Sequence, residues 1–507
     1  MLKKIESGTY NISNQIAYLN YIKQNRLKRI NKKNLDKDFI SILIIGNDNL
    51  EKCIKFIKKQ KYKRFEILLY KEKYKKYKTI DSLKQIESDY CLLMNSNCML
   101  DENALLYFSF YKNNSDFIYC DNDLLDRNDN RLEPQFKPDY SPDTLLSTNY
   151  IGALAFIKTK IINNIDFNNL YDLYLKILDD KTNIFHISEV LYHECPTNVN
   201  VELTKKSIEK KLERDKIKAE VIKADNYDGF YIKYPNKNEK VTIIIPIKDN
   251  YEDTKNCIDS IYKNTTYKNF EILLVNNKSE EERVLKLIKT YEKKYPNFKI
   301  LNADYEFNYS KINNDACKKI KNGYIVFLNN DIEIITKNWI ELMLGYARQS
   351  HVGAVGVKLL YPDNTIQHGG IVIIDSPKNA FSTIPSDIPI WGGRTSIPYN
   401  YSAVTAACMM IDLNKFKKIK GFDEKLKVAY NDIDLCLKLI KCGLYNVYLP
   451  VVKMYHYESK TRGLELTEEK KKRLEKEKEI FYNKWSYKDK FYNKNYSQSI
   501  PFEIEIK

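Results

Sequence analysis

The sequence predicts an α/β protein made of two related domains in tandem, each a mostly parallel sheet flanked by helices, with a helical C-terminal tail. Two observations carry that expectation: short apolar runs alternate with helical patterns, and several blocks recur in the same order. Residues 241–246 (Val-Thr-Ile-Ile-Ile-Pro) form a short apolar run, as a strand buried on both faces requires. Residues 253–263 follow with helical spacing that puts Cys257, Ile258 and Ile261 on one face. Residues 270–275 read as the next buried strand, 280–293 as an amphipathic helix, and 298–301 as a third strand. Strand, helix, strand, helix, strand is the pattern of a doubly wound sheet. Such sheets gather ligands beyond the carboxyl ends of their strands. Asp249, Asn276, Asn277 and Asp331 all fall just after predicted strands, so one cleft should collect them.

The repeat is read block by block. Tyr62-Lys63-Arg64-Phe65-Glu66-Ile67-Leu68-Leu69 matches Tyr267-Lys268-Asn269-Phe270-Glu271-Ile272-Leu273-Leu274. The apolar run before Asn95-Ser96-Asn97 matches the one before Asn329-Asn330-Asp331. Residues 183–194 match 446–458, which aligns His193 with His456. Asp172 stands opposite Asp434, and Leu170 opposite Asp432. Blocks in conserved order imply two units of one fold. A carboxylate takes a proton and an isobutyl group does not. The second copy is therefore expected to be the working one, and the first a retired copy that serves as a docking, acceptor-binding or stabilising module. The resulting map is a basic extension over 1–38, a degenerate domain over 39–235, a catalytic domain over 240–463, and a tail over 464–507.

Composition sets the outer limits. At 507 residues and 43% hydrophobic content the chain has ample core for two or three domains. No apolar run reaches the roughly 18 residues that span a bilayer, and the N-terminus lacks the apolar stretch of a signal peptide. The ten cysteines are scattered without a CxxC pair, so buried free thiols are expected, in a cytoplasmic location. The net charge of +16 fits a solvated lysine-rich surface. It also fits attraction to an anionic partner such as the inner membrane leaflet. No nucleic-acid-binding signature is visible, so no nucleic-acid partner is expected.

The chemistry concentrates in the second copy. An acid at a strand end, Asp331 beside Asn329 and Asn330, suits a hard divalent cation. His456 follows another apolar run, and histidine with carboxylate suits Mn²⁺ or Mg²⁺ holding a nucleotide diphosphate. Alone, Asp331 is equally a turn residue or helix cap, and His456 equally a packed or surface histidine. No Walker loop is present, which argues against a kinase or ATPase.

These segments resemble the family 2 glycosyltransferases of the GT-A fold. The resemblance rests on Ile245-Pro246-Ile247-Lys248-Asp249, Asn276-Asn277, Phe307-Asn308-Tyr309-Ser310, Leu328-Asn329-Asn330-Asp331, Gln367-His368-Gly369-Gly370, Thr405-Ala406-Ala407, Asn431-Asp432-Ile433-Asp434 and His456 through Gly463. It covers about residues 240–500, and it makes the fold two Rossmann-like GT-A domains in tandem. It implies an inverting transferase with a nucleotide-diphosphate-sugar donor and a glycan or lipid-linked glycan acceptor. Asp432 would be the general base. Asn329, Asp331 and His456 would hold the metal. Asp249, Asn277, Asn314, Asn330 and Arg462 would contact the nucleotide. Thr405, Trp391 and Asp434 would face the acceptor. Separately, the glycines of Trp391-Gly392-Gly393-Arg394 suggest from composition a mobile loop that closes over the donor. Asn329 stands where many members have aspartate, which leaves one less charge for a metal. The rival reading is a non-catalytic scaffold or glycan-binding protein made of two retired domains.

Overall fold

The computed structural model describes residues 12–24, 38–74, 76–179, 181–196, 200–457 and 467–504. Arg462 and most of the motif that follows His456 lie outside them.

The first nine strands are β1 (Ile40–Ile45), β2 (Phe65–Tyr70), β3 (Lys78–Ile80), β4 (Tyr90–Asn95), β5 (Cys98–Leu100), β6 (Phe117–Leu125), β7 (Arg131–Gln135), β8 (Leu154–Lys158) and β9 (Ile184–Glu194). They form one sheet in the order β3-β2-β1-β4-β8-β6-β9-β5, with β7 on β6. A helix, Val201–Arg214, and a hairpin of β10 (Glu220–Lys223) with β11 (Phe230–Lys233) follow.

The second sheet contains β12 (Val241–Ile247), β13 (Phe270–Asn276), β14 (Phe298–Asn302), β15 (Tyr324–Leu328), β16 (Ile332–Ile334), β17 (Val352–Leu360) and β18 (Ile366–His368). A small pair, β19 (Ile371–Ile373) with β20 (Pro377–Asn379), stands apart from it. Strands β21 (Tyr399–Tyr401), β22 (Cys408–Asp412) and β23 (Tyr445–His456) complete the sheet. Its order is β14-β13-β12-β15-β22-β17-β23-β16, with β18 on β17. Every neighbour relation of the first sheet recurs in the second, and so does the sense of its central pairings. β4–β8 and β15–β22 are antiparallel, while β6–β9 and β17–β23 are parallel. The repeat seen in the sequence is therefore a repeat of topology.

The apolar runs become strands because they bury both faces: β12 is buried along nearly all its length. The helix Tyr251–Asn264 lays Cys257, Ile258 and Ile261 inward as its spacing predicts. One apolar cluster runs through both halves, from Phe117 and Tyr174 to Tyr234 and Trp339. The C-terminal segment ties the halves together. The Asn493 amide donates to both carboxylate oxygens of Asp121, at 3.1 and 2.8 Å, and to the Lys137 carbonyl at 2.9 Å. Asn400 and Asp143 add a second buried tie at 2.8 Å. All ten cysteines are unpaired thiols, and all but Cys195 and Cys442 are buried. Among the described residues no helix is long and apolar enough to cross a membrane.

Candidate functional site

Parallel strands β12, β13 and β15 end on one side of the sheet, and the residues just beyond them lie at that edge. Strand β15 delivers Asn329, Asn330 and Asp331. Antiparallel pairing of β16 with β23 sets Ile332 opposite His456, which brings Asp331 beside that histidine. His456 Nε2 lies 3.1 Å from Asp331 Oδ1, a buried oxygen with no hydrogen-bond partner among the described residues. The Asn329 amide nitrogen is 3.4 Å from the same histidine nitrogen.

The other histidine nitrogen, Nδ1, meets Gln367 Oε1, and the Gln367 amide nitrogen approaches the His456 carbonyl at 3.5 Å. That orientation makes Gln367 an acceptor for a proton on Nδ1, which leaves Nε2 as the nitrogen that faces Asp331. A carboxylate oxygen and an imidazole nitrogen held 3.1 Å apart are the ligand types that suit a divalent cation. Among the described residues no cluster of three acids, histidines or cysteines surrounds a single point, so a metal here would take its remaining ligands from substrate or water.

Asp432 opens the helix Asn431–Lys441, behind Tyr430, whose φ of +62° is a costly conformation for a bulky residue. The bend is held from outside. Glu477 of the C-terminal helix Glu468–Lys484 is buried, and its carboxylate accepts the backbone N–H groups of Lys427, Val428 and Ala429. One short segment joins the acid to the strand that delivers Asn329. The Ala406 N–H donates to Asp432 Oδ2 at 3.3 Å, and the Asn329 N–H donates to the Ala407 carbonyl at 2.9 Å. The Thr405 N–H points to His368 Nε2 at 3.4 Å, and His368 neighbours Gln367 on β18. Burial holds His368 down at about 4, so it is neutral at pH 7. Asp331, His456, Thr405 and Asp432 thus belong to one connected constellation.

Other expected residues are differently employed. Asp434 is fully buried. Its oxygens meet Trp485 Nε1 at 2.8 Å, Lys484 Nζ at 2.6 Å and Lys438 Nζ at 2.9 Å, so it anchors the C-terminal helix and does not face an acceptor. Asp172, its counterpart, is likewise paired with Lys176. Asn314 spends its amide on both backbone groups of Phe422 and on Glu424, so it shapes a loop and is not free for a nucleotide. The Asn277 amide nitrogen is given to the carbonyls of Ala303 and Tyr305. Asp249 accepts the N–H groups of Glu280 and Glu281 through one oxygen, and Asn330 donates to Thr254. The segment Trp391–Gly393 is a short helical turn against the first half. Gly393 has φ +74°, and a Cβ there would lie 2.4 Å from the Tyr227 ring. Gly392 and Arg394 line the cleft of the first half, which corrects the expected lid over the donor.

The alignment of His193 with His456 is also corrected. Strand β5 pairs with β9 so that Cys98 faces Glu194, just as Ile332 faces His456. Glu194 therefore occupies the position of His456. His193 is buried one place earlier, bonded to Asp123. Burial alone would raise Asp123, but His193 and Arg131 outweigh it and hold its pKa below the usual range. The sequence could not reveal this, because a one-residue slip leaves the alternation of a strand intact while exchanging its faces.

Residues 242–379 match the model of the family described as glycosyl transferase family 2. The chain is 31% identical over 437 residues to an uncharacterised protein, y4gI, of Sinorhizobium fredii, covering 80% of this chain and 48% of that protein. It is 31% identical over 371 residues to O-antigen biosynthesis protein RfbC of Myxococcus xanthus, covering 68% of this chain and 28% of the relative. The chain thus spans about half or less of the length of these two relatives. A solved structure of GalNAc-T7 with UDP, GalNAc and Mn²⁺ superposes with a TM-score of 0.38 at 16% identity, over 45% of each chain. The second half is a family 2 glycosyltransferase domain.

Proposed function

We propose that the second half moves a sugar, with inversion, from a nucleotide-diphosphate-sugar to a hydroxyl of a glycan or glycolipid acceptor. The observation that carries this reading is the link between the Asp331–His456 pair and Asp432 through residues 405–407. Asp432 takes the acceptor proton as the hydroxyl attacks the anomeric carbon from the face opposite the leaving group. A single displacement of this kind inverts the configuration and needs no enzyme nucleophile. Asp331 and His456, with Asn329 beside them, would hold Mn²⁺ or Mg²⁺, which when bound neutralises charge on the departing diphosphate. Gln367 fixes the His456 tautomer, and Glu477 fixes the bend that carries Asp432.

Asp249 and Asn330, with Arg462 by resemblance, complete the nucleotide side, and Thr405 lies on the acceptor side next to Asp432. The Myxococcus relative's role in O-antigen biosynthesis supports placing the reaction in bacterial surface polysaccharide synthesis. Such a reaction uses cytoplasmic sugar nucleotides, and the basic surface suits peripheral contact with the anionic inner membrane face.

The test is a thermal-shift panel of sugar nucleotides with and without Mn²⁺, on wild type and Asp331→Ala. A ligand that binds only the folded state raises its melting temperature. One donor should stabilise the wild type in a metal-dependent way and leave Asp331→Ala unmoved. Equal stabilisation of both proteins would overturn the assignment of Asp331.

A further inference from the structure

The first half keeps a cleft of about 460 Å³ at the place where its sheet would carry an active site. Its walls include Asn95, Asn97, Leu170 and Glu194, at the positions that Asn329, Asp331, Asp432 and His456 hold in the second half. Two changes remove the old chemistry. Leu170 cannot take a proton, and an amide replaces the acid at 97. A third change supplies a resident cation. Lys137 is buried, and its Nζ donates to the carbonyls of Cys120 and Ile151 at 2.7 Å and contacts the Tyr192 hydroxyl at 3.1 Å. Lys137 Nζ, Tyr192 and Glu194 crowd around Gly152, where φ is +90° and a Cβ would lie 2.4 Å from the Tyr192 oxygen. Burial pushes the Lys137 ammonium down and the Glu194 carboxyl up. A fixed ammonium beside Glu194, the acid at the position of His456, disfavours a second cation there, so this cleft is built to work without metal.

The cleft has nonetheless not collapsed. The Asn95 side chain, half-buried in the wall, makes no hydrogen bond among the described residues. Arg394 reaches in from the second half, 95% buried, with its guanidinium 4.7 Å from the Tyr399 ring and 4.6 Å from the Phe502 ring. Its Nε has no hydrogen-bond partner, and it forms no ion pair among the described residues. Unsatisfied buried donors are costly unless a ligand meets them. Tyr150, Tyr171, Tyr227 and Tyr399 also line the cleft. Amide and guanidinium donors among tyrosine side chains suit a pyranose, with its ring of hydroxyls and its apolar C–H face. The volume falls within the range of about 300–1,000 Å³ typical of small-molecule sites.

We propose that this cleft is a metal-independent binding site for a pyranose residue of a glycan, completed by Arg394 of the second half, and that it holds the acceptor chain while that half extends it. The binding claim stands without the transferase reading; only the word acceptor rests on it.

The experiment applies the labelled full chain, with EDTA and no donor, to an array of neutral and uronate-containing bacterial polysaccharides and oligosaccharides. The expected result is binding to a restricted set of glycans, kept in Asp331→Ala, about tenfold weaker in Asn95→Ala, and absent in Asn95→Trp, which fills the cleft. The neutral and uronate arms show whether Arg394 meets hydroxyls or a carboxylate. No bound glycan overturns the proposal, as does binding unchanged in both Asn95 variants. Binding lost in Asp331→Ala places the ligand in the second half, which sinks this inference and leaves the transferase reading intact.

Discussion

Glu477→Gln tests how the C-terminal helix holds the bend that leads into Asp432. The Glu477 carboxylate, 2% exposed, accepts N–H groups from Lys427 at 3.1 Å, Val428 at 3.3 Å and Ala429 at 2.6 Å. Hydrogen bonds to a charged group contribute about 1.5–3 kcal/mol each, and neutral ones about 0.5–1.5. Glutamine keeps a single acceptor oxygen. Placed toward Val428 and Ala429, it loses the Lys427 bond and weakens the other two from charged to neutral strength. The combined loss is about 4–6 kcal/mol, or about 10³- to 10⁴-fold in the opening equilibrium of residues 427–429. Native-state amide hydrogen exchange on that peptide reads this equilibrium directly. Exchange there should quicken by that factor while strands β12 and β15 keep their protection. Because these residues lead into Tyr430 and Asp432, kcat should fall more than donor KM rises. Unchanged exchange at 427–429 would refute the claim that Glu477 holds the bend.

Three further predictions address neighbouring groups. Asp434→Asn removes the anion that Lys438 and Lys484 share, while Lys484 keeps Asp423, and each hydrogen bond to a charged group contributes about 1.5–3 kcal/mol. Thermal denaturation should show a large drop in Tm, and acceptor KM measured on the remaining folded enzyme should be unchanged; a raised KM at normal Tm would restore its acceptor role. Gln367→Met removes the acceptor from His456 Nδ1, and the Mn²⁺ concentration giving half-maximal donor-dependent stabilisation should rise about 10- to 100-fold; no change would contradict the tautomer argument. His368 is held at about 4 against 6.5 in the unfolded chain, so between these values only the unfolded chain takes the proton. It therefore lowers stability as pH falls from about 6.5 to about 4, by up to about 3 kcal/mol. Asp489, raised by burial to about 6, acts in the opposite sense over the same window, so the readout is the difference between proteins. The acid-side fall in Tm should be shallower in His368→Asn than in wild type, and parallel curves would refute the assignment.

Much of this molecule was legible as sequence because its signals are local. The apolar runs at 241–246 and 270–275 had to be buried strands, since Thr242 and Glu271 alone are polar in them, too few for a wet face. Asp331 and Asp432 stood out because the repeat offers Asn97 and Leu170 in their places. What stayed hidden depends on partners distant along the chain. The role of Asp434 is set by Trp485 and Lys484 in the tail. Asn314 is claimed by Phe422 and Glu424, which no short-range pattern announces. Glu477 sits in a stretch of mixed charge that reads as an exposed helix, and most of that helix is exposed. Only its inward turn, with Phe481, seats it under the bend. Trp391-Gly392-Gly393-Arg394 suggested a hinge from its glycines, but those glycines let the backbone lie against Tyr227 and Tyr399.

The central claim is that Asp432 is the base of a living transferase site. Its most direct test compares Asp432→Asn with wild type in sugar transfer, using the donor identified by the thermal-shift panel. Donor-dependent stabilisation should be retained, and kcat should fall by about 10²- to 10⁴-fold. A variant that binds donor and turns over within a few-fold of wild type would contradict the account.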